Sequence, residues 1–255
     1  MTGPDKGVAW ITGASSGIGR ALALRLAAAG HVVAASARGK AALGSLVAEA
    51  KGAGGRIAAY PLDVTDAGAC RDCVEAIEAT HGAIGLAVMN AGTHLPVSAK
   101  RFDAEAFRTL FAVNVLGVVN GLAAVVPRFI ERKRGHLAIV SSLAGLRGLP
   151  TGAAYGASKA ALINMAEALK FDLDHVGVKV QIITPGFVRT PLTERNAFPM
   201  PFMISAEDAA DRIMRGLRSN AFEISFPKRL ACSLRLMRLL PDGLYFSLMH
   251  RATGL

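Results

Sequence analysis

The sequence predicts an α/β protein built as one doubly wound parallel sheet with helices on both faces. Two observations support this fold class. Short apolar, β-branched segments alternate with helical segments from residue 8 to about 226. The strand segments are almost continuously apolar, as expected for parallel strands buried on both faces. Alternating strands and helices then imply right-handed crossovers between parallel strands.

The elements follow in order along the chain. Strands are expected at 8–12, 31–36, 56–64, 84–92, 136–142, 178–186 and 222–226, the longer segments ending in loops. Helices are expected at 17–30, 40–52, 66–81, 104–132, 153–175 and 205–219. Gly30 closes the first helix, since glycine is common at helix ends. No linker, repeat or low-complexity segment divides the chain, so we expect one domain over 1–225 with 226–255 as its basic amphipathic helical extension.

Composition disfavours several classes of protein. The chain has 255 residues, of which 52% are hydrophobic and 19% charged, so we expect a large core and no extensive disorder. The formal net charge is +10, but the basic residues are scattered apart from the run at 131–136, and only 6% of residues are aromatic. Nucleic-acid binding is disfavoured, because no basic run is interleaved with aromatic residues that stack on bases.

The N-terminus and the cysteines predict a cytoplasmic location. The first residues are polar and lead into a strand without a signal peptide, and we expect no apolar stretch of membrane-spanning length. Cys70, Cys73 and Cys232 are too few for a disulfide framework, which suits a reducing compartment. Cys70 and Cys73 have C-x-x-C spacing but no second ligand pair, so we interpret them as ordinary helix residues and expect no metal site.

A glycine-rich turn follows the first strand. Gly13, Gly17 and Gly19 form the pattern T-G-x-x-x-G-x-G between a strand and a helix. Such glycines let the backbone approach a pyrophosphate, and the helix N-terminus supplies free N–H groups and positive potential. A plain tight turn is the alternative, but the position after the first strand favours a dinucleotide site.

The end of the second strand indicates which dinucleotide is bound. An acidic residue there would bind the ribose 2′-hydroxyl of NAD, whereas an arginine accommodates the 2′-phosphate of NADP. The chain has Ala37 and then Arg38, so NADP(H) is favoured and NAD(H) is the alternative. Arg38 as a plain surface residue is the other interpretation. Asp63 ends the third strand at the same edge and faces the crevice, or else caps a helix that Thr65 or Asp66 is better placed to start.

Tyr155 and Lys159 lie four residues apart in an alanine-rich helical segment, so their side chains share one face. A tyrosine hydroxyl has a pKa of about 10, and a nearby ammonium lowers that pKa towards neutrality. Alone, such a pair is most often a pair of surface neighbours. Ser142, at the end of a strand, would donate a hydrogen bond to a substrate carbonyl. Asn114, a polar residue in an apolar run, either braces the backbone or holds a water that links Lys159 to solvent.

Together these motifs resemble the classical type of the short-chain dehydrogenase/reductase family. The matching residues, from residue 8 to about 225, are TGASSGIG (12–19), LDV (62–64), NAG (90–92), Asn114, VSS (140–142), YGASK (155–159) and PGFVRT (185–190). The resemblance implies a Rossmann-like sheet of about seven parallel strands and a nicotinamide cofactor. It also implies a homodimer or homotetramer packed through the helices at 104–132 and 153–175.

The resemblance also implies roles for individual residues. Tyr155 would be the general acid/base, and Lys159 would lower its pKa and bind the ribose. Ser142 would orient the substrate carbonyl, and Asn114 would hold a water of the proton relay. The implied cofactor contacts are Gly13, Ser15, Ser16, Gly17, Ile18, Gly19, Arg38, Asp63, Val64, Asn90, Ala91, Gly92, Tyr155, Lys159, Pro185, Gly186, Val188 and Thr190.

Two segments are candidates for the substrate site. An apolar lid, or else packing under a loop, is expected from Phe198, Met200, Phe202 and Met203. The opposite wall is expected from Gly145, Leu146, Leu149 and Thr151. Neither segment specifies a substrate beyond a hydrophobic ketone, aldehyde or alcohol.

The segment 226–255 carries five basic residues and one acidic residue. Its apolar residues fall at helical spacing until Pro241 and Gly243 interrupt the pattern: Leu230, Leu234, Met237 and Leu240. Such a helix packs on its own domain, on a partner subunit, or peripherally on an anionic membrane. We favour packing on protein and keep membrane contact as the alternative.

The sequence therefore predicts an NADP(H)-dependent oxidoreductase that moves hydride between nicotinamide and a hydrophobic ketone, aldehyde or secondary alcohol. An NAD-dependent alcohol dehydrogenase of the same family is one alternative. A non-catalytic dinucleotide-binding redox sensor and a membrane-surface scaffold are two others. The intact set of Ser142, Tyr155 and Lys159 disfavours a sensor, because a sensor needs no proton donor.

Overall fold

Seven strands form one parallel sheet in the computed structural model, which describes residues 7–195 and 200–253. The strands are β1 (Val8–Thr12), β2 (Val32–Ala37), β3 (Arg56–Pro61), β4 (Ile84–Met89), β5 (Gly135–Val140), β6 (Val178–Pro185) and β7 (Glu223–Phe226). Their order across the sheet is β3-β2-β1-β4-β5-β6-β7, and every neighbouring pair is parallel. The predicted α/β fold with a doubly wound parallel sheet is confirmed.

Helices connect the strands and cover both faces of the sheet. They are α1 (Gly17–Ala28), α2 (Lys40–Gly52), α3 (Ala67–His81), α4 (Ala104–Phe111), α5 (Gly117–Glu131), α6 (Ala153–Asp174), α7 (Ala206–Leu217), α8 (Lys228–Arg238) and α9 (Asp242–Thr253). A π-helical turn, Ala112–Leu116, joins α4 to α5, so the segment predicted as one long helix is continuous but widened in its middle. The predicted tail helix is two helices, interrupted at 239–241.

The core lies in two layers, one on each face of the sheet. Helices α1, α2 and α7 pack on one face, and α3, α5 and α6 pack on the other. Residues of β1 alternate between these layers, with Ala9 and Ile11 in the first and Val8 and Trp10 in the second. Both faces of β1 are therefore buried, which explains why its sequence is apolar without alternation.

The C-x-x-C pair is buried on α3. Cys70 and Cys73 are free thiols, and burial raises the pKa of both, that of Cys70 to about 11. Cys73 Sγ lies 3.6 Å from Ser36 Oγ. Thiols with raised pKa values are poor nucleophiles, which agrees with their interpretation as ordinary helix residues.

Asn114 and Asn120 interrupt the apolar run of the helical stretch 104–131, in line with the expectation of no uninterrupted apolar stretch of membrane-spanning length. By length and overall composition alone, this stretch of the described residues is nevertheless long and apolar enough to cross a membrane. Core helices of globular proteins pass the same test. This stretch packs its buried side, which includes Leu122, Val125 and Phe129, against the second core layer. We therefore assign it to the fold.

Candidate active site

A cavity of about 570 Å³ lies where the strand order reverses, beyond the carboxyl ends of β1 and β4. Crossovers leave β1 and β4 in opposite directions there, which opens a crevice of the kind in which doubly wound sheets bind ligands. Ser142 lines the cavity together with all the implied cofactor contacts, namely Gly13, Ser15, Ser16, Gly17, Ile18, Gly19, Arg38, Asp63, Val64, Asn90, Ala91, Gly92, Tyr155, Lys159, Pro185, Gly186, Val188 and Thr190. The fold thus brings these separate segments around one space.

Other residues of the cavity wall were not among the predicted contacts, although Leu62, Val140 and Ser141 lie in the matching motifs. They are Ala37, Gly39, Leu62, Thr93, Thr109, Val113, Val140, Ser141, Pro191, Leu192 and Thr193. Thr109 and Val113 lie one turn apart on the 104–131 stretch, but no motif marks them. Thr193 is the most important residue that the sequence analysis did not include. Its Oγ1 donates to the Val188 carbonyl at 2.7 Å and accepts from the Thr190 N–H at 3.0 Å. It fixes the turn that carries two predicted contacts.

The predicted substrate walls are placed differently. Gly145, Leu146, Leu149 and Thr151 are not among the residues that line this cavity. A Cβ on Gly145 would lie 2.7 Å from the carbonyl carbon of Lys159, so the loop packs against α6 at this point. Of the expected lid, Phe198 lies outside the described residues. Met200 and Met203 are half-buried, Phe202 is exposed, and none of these three lines the cavity.

The glycine-rich turn is a close fit between backbone segments. Gly13 and Gly17 have φ values of +68° and +53°, which favour glycine. A Cβ on Gly19 would overlap the Gly13 carbonyl oxygen and lie 2.5 Å from Asn90 Nδ2. Ser16 precedes α1 without a side-chain cap, so no cap competes for the N–H groups at this helix start. A cradle that only glycine fits, below an uncapped helix N-terminus, suits a pyrophosphate.

Thr12 and Asn90 join the glycine turn to the end of β4. Thr12 Oγ1 accepts from the backbone N–H groups of Asn90 and Ala91, both at 3.0 Å. Asn90 Nδ2 donates to the carbonyls of Thr12 and Gly13, at 3.0 and 3.1 Å. These reciprocal bonds hold the two sides of the crevice in register.

Arg38 and Asp63 lie at the outer end of the cavity. Arg38 is exposed directly after β2, beside the buried Ala37. The Asp63 carboxylate accepts from the N–H of Thr65 at 3.0 Å and from its hydroxyl at 2.8 Å. These two bonds lower the pKa of Asp63, and the nearby Arg38 charge adds to the effect. Asp66, not Asp63, caps α3 by accepting from the Ala69 N–H at 2.9 Å.

Lys159 is buried at the inner end of the cavity. Its Nζ donates to the Val140 carbonyl at 3.0 Å and lies 5.8 Å from the centre of the Tyr155 ring. Burial lowers the pKa of Lys159 to about 8, because the ammonium is costly to desolvate.

Tyr155 and Ser142 face each other across this end. Burial raises the pKa of Tyr155, and a hydrogen bond with the Ser142 side chain opposes the rise. Ser142 Oγ also accepts from the Ala144 N–H at 3.1 Å. The pKa of Tyr155 is thus above its ordinary value in this structure, with the Lys159 ammonium bonded to a carbonyl instead. Lowering of that pKa by Lys159 stays a prediction.

Asn114 lies in the π-helical turn and is fully buried. Its Oδ1 accepts from the Thr93 N–H at 2.7 Å, and its Nδ2 donates to the Thr93 carbonyl and to Ser158 Oγ, both at 3.0 Å. A Cβ on Gly92 would lie 3.3 Å from Asn114 Oδ1 and 3.5 Å from Lys159 Nζ, so Gly92 lies between the two side chains. Asn114 braces the backbone after β4, as one of the two predicted interpretations requires; holding a relay water stays a prediction.

Several known proteins are similar to the chain. The family described as short chain dehydrogenase matches residues 7–198. An uncharacterized oxidoreductase of Myxococcus xanthus is 44% identical over 243 residues, covering 95% of this chain and 96% of that protein. A 3-oxoacyl-(acyl-carrier-protein) reductase of Thermotoga maritima is 38% identical over 188 residues, covering 74% of this chain and 76% of that protein.

Two solved structures are similar over nearly the whole chain. A short-chain dehydrogenase/reductase from Burkholderia phymatum in complex with NAD has a TM-score of 0.85 at 26% identity, covering 93% of this chain and 94% of that one. A short-chain dehydrogenase from Sphingobium yanoikuyae in complex with NADPH has a TM-score of 0.81 at 27% identity, covering 95% of each chain. The two hold different dinucleotides, so this likeness leaves the choice between them to individual residues.

Proposed function

The chain belongs to the short-chain dehydrogenase/reductase family, and on that premise we propose that it reduces a hydrophobic ketone or aldehyde with NADPH. The family and the named relatives make it an oxidoreductase that acts on CH–OH or C=O groups with a nicotinamide dinucleotide. The observation that carries the proposal is the convergence of Ser142, Tyr155 and Lys159 at one end of the cavity. Arg38 lies at the other end, across β1 and β4 in the sheet.

The residues of the cavity fit the parts of such a dinucleotide. The glycine cradle and the start of α1 would hold the pyrophosphate, and Lys159 would bind the nicotinamide ribose. When bound, the nicotinamide supplies the hydride. Ser142 Oγ orients the carbonyl oxygen of the substrate, and the Tyr155 hydroxyl donates a proton to that oxygen as negative charge develops on it.

NADPH is favoured by the residues that follow β2. Ala37 ends the strand without a carboxylate, and the next residue, Arg38, is exposed beside the cavity. A carboxylate at this point would repel a 2′-phosphate, whereas a guanidinium bonds to it in two places. Asp63 is the nearest acid that lines the cavity, and its carboxylate already accepts two bonds from Thr65.

Reduction is favoured over oxidation by the similarity to the Thermotoga maritima protein, which is named a reductase. Oxidation of an alcohol with NAD remains the second candidate, because one similar structure holds NAD. Both directions use the same proton-transfer group, so they share the prediction for Tyr155 and differ in the cofactor.

Self-association through the two long helices is part of the proposal. An outward apolar row runs along the 104–131 stretch: Leu116, Val119, Ala123 and Ile130. On α6 the exposed Ala157, Ala160 and Ala168 lead to Phe171, whose side chain is 76% exposed. Two such faces would be covered in a homodimer or homotetramer. Size-exclusion chromatography with light scattering measures the molar mass of the protein in solution. A monomer at micromolar concentration would contradict self-association.

A comparison of two tyrosine variants tests the reaction. Tyr155→Phe should still bind NADPH, measured by nicotinamide fluorescence, and reduce a panel of hydrophobic ketones and aldehydes roughly 10²–10⁴-fold more slowly. Tyr60→Phe makes the same chemical change on β3, away from the cavity, and should retain wild-type turnover. If the wild type binds NADPH but reduces no compound in a broad panel, that result would support the redox-sensor alternative. Undiminished turnover in Tyr155→Phe would show that another group donates the proton.

A further inference from the structure

The last two helices present an outer surface that is both apolar and basic. We call α8 and α9, residues 228–253, the C-terminal helix pair. We propose that this helix pair docks on an anionic lipid surface. The site and its ligand are distinct from the dinucleotide cavity, so the proposal stands apart from the proposed reaction.

Exposed apolar side chains are concentrated around the turn between the two helices. Of the eleven large hydrophobic residues exposed in the described chain, five lie within 236–248: Leu236, Leu239, Leu244, Phe246 and Leu248. Leu236 and Leu239 are 67% and 80% exposed. Residues three or four apart share a helix face, so Leu236 lies beside Leu239, and Leu244 beside Leu248. Protein surfaces that expose apolar residues at this density are commonly interaction sites.

The Lys, Arg, Asp and Glu side chains of the helix pair that lack an ion-pair partner among the described residues are all positive. Asp242 is paired with Arg147, and Glu223, just before the helix pair, is paired with Arg235. The remaining charged Lys and Arg side chains are exposed, and within residues 7–195 and 200–253 none of them has an acidic partner in an ion pair: Lys228, Arg229, Arg238 and Arg251. Leucine and phenylalanine flanked by unpaired arginines suit an anionic bilayer, which accepts both the apolar groups and the charge.

Charge argues against the alternative of a second copy. A two-fold contact would bring together two copies of a surface whose unpaired charges are positive, and like charges repel. An anionic lipid surface instead complements every unpaired charge of the helix pair. The formal net charge of +10 adds a longer-range attraction to the same surface.

The helix pair is fixed to the part of the protein that surrounds the reacting end of the cavity. A Cβ on Gly186, which lines the cavity, would lie 2.9 Å from Leu230 Cδ2, so α8 packs directly against this loop. Arg147, five residues after Ser142, donates to the carbonyls that end α8, and Tyr245 donates to the Gly148 carbonyl at 2.5 Å. Docking would therefore place this end of the cavity near the lipid, at the cytoplasmic face of a membrane. A lipid-soluble carbonyl substrate would follow, a consequence that rests on the proposed reaction.

Vesicle sedimentation of the full chain tests the proposal. We expect binding to vesicles of phosphatidylcholine mixed with phosphatidylglycerol, little binding to phosphatidylcholine alone, and loss of binding at high salt. Arg238→Gln with Arg251→Gln should weaken the partition coefficient roughly thirtyfold, since each basic residue near an anionic surface adds about a factor of five. Arg56→Gln with Arg71→Gln removes the same charge from two other exposed positions and should change it far less.

Apolar variants test the second half of the surface. Leu236→Ser with Leu239→Ser should also weaken binding, while Phe102→Ser, another exposed side chain, should not. Circular dichroism checks that each variant is folded. Failure of the wild type to sediment with anionic vesicles overturns the proposal and would leave the surface to an acidic protein partner. Equal losses in both arginine pairs would also overturn it, because they indicate net charge alone. Tyr155→Phe should bind vesicles normally, so lipid docking and the proposed reaction fail independently.

Discussion

The guanidinium carbon of Arg147 lies 3.8 Å from the centre of the Tyr245 ring, so the loop after β5 and the last helix hold each other. The same guanidinium donates to the backbone carbonyls of Met237 and Leu240, at 2.5 and 3.0 Å, and pairs with Asp242 at 2.8 Å. The Met237 carbonyl also accepts from the Leu240 N–H at 3.2 Å, so Arg147 adds a charged donor at the end of α8 and links this helix to the start of α9.

Arg147→Ala should therefore loosen the C-terminal helix pair. Charge-assisted bonds to a largely buried arginine are each worth about 1.5–3 kcal/mol, and their loss is partly offset by water, so we expect the free energy of unfolding to fall by about 2–4 kcal/mol. The rate of amide hydrogen exchange should increase over 236–253 and stay nearly unchanged in the strands of the sheet. Arg101→Ala is the control, because Arg101 is exposed and forms no ion pair with another described residue. Unchanged exchange over 236–253 would show that α9 is held by other contacts.

Arg38→Ala should change the choice of dinucleotide. Loss of a charge-assisted contact to the 2′-phosphate is worth about 1.5–3 kcal/mol, so NADPH should bind roughly 10- to 100-fold more weakly while NADH binding stays constant. Fluorescence titrations of both cofactors measure this. Arg56→Ala removes an arginine at the amino-terminal end of β3, whereas Arg38 follows the carboxyl end of β2. This control should affect the binding of neither cofactor. Parallel losses for NADPH and NADH would assign Arg38 a structural role instead.

Gly19→Ala should prevent dinucleotide binding. The added methyl would meet the Gly13 carbonyl and Asn90 Nδ2, both of which are fixed by hydrogen bonds, so the turn must open. Gly44→Ala makes the same change on an exposed side of α2, where nothing lies within 4 Å of the new Cβ. That control should raise stability by about 0.5–1 kcal/mol, because alanine favours a helix. Wild-type NADPH affinity in Gly19→Ala would show that the turn adapts.

His136 should make stability depend on pH. Burial and the Lys179 charge lower the pKa of His136 from 6.5 to about 4, while its ring shares a 2.8 Å hydrogen bond with Gln181 Oε1. Between these values the unfolded chain binds a proton that the native protein does not, so the free energy of unfolding falls as pH falls from 6.5 towards 4. The loss is on the order of 3 kcal/mol.

Urea unfolding across this pH range measures the effect. In His136→Gln the free energy of unfolding should fall less steeply as the pH falls from 6.5 to 4. His175→Gln, at an exposed position after α6, should leave this slope unchanged. An acid limb of undiminished slope in His136→Gln would mean that other groups, such as carboxylates, control stability in this window.

Much of the fold could be predicted because its signals are local. Strand residues such as Ala9 and Trp10 are apolar on both faces, and Asp66 caps α3 where the sequence placed a helix start. Two strands were predicted too long at their carboxyl ends: β5 to residue 142 and β6 to residue 186. Ser141, for example, continues the apolar run of β5 but turns its hydroxyl to the Lys159 carbonyl at 2.7 Å.

The parts that could not be predicted depend on contacts between distant residues. The π-helical turn at Asn114 has no sequence pattern, because its partners Thr93 and Ser158 lie 21 and 44 residues away. The loop at 145–151 was expected to line the substrate site, yet Gly145 packs on α6 and Arg147 is drawn to the C-terminal helices. Only the folded chain shows that these positions are occupied by protein.

The bonds among Thr12, Gly13 and Asn90 hold the glycine-rich turn in one arrangement within the folded chain. Its conformational entropy is lost once, when the protein folds, and not again each time a dinucleotide arrives. A dinucleotide that bound at the proposed site would therefore meet an ordered turn, and its affinity would not be reduced by ordering it. A dinucleotide at saturating concentration should also raise the melting temperature of the protein, because it would bind the folded chain and not the unfolded one.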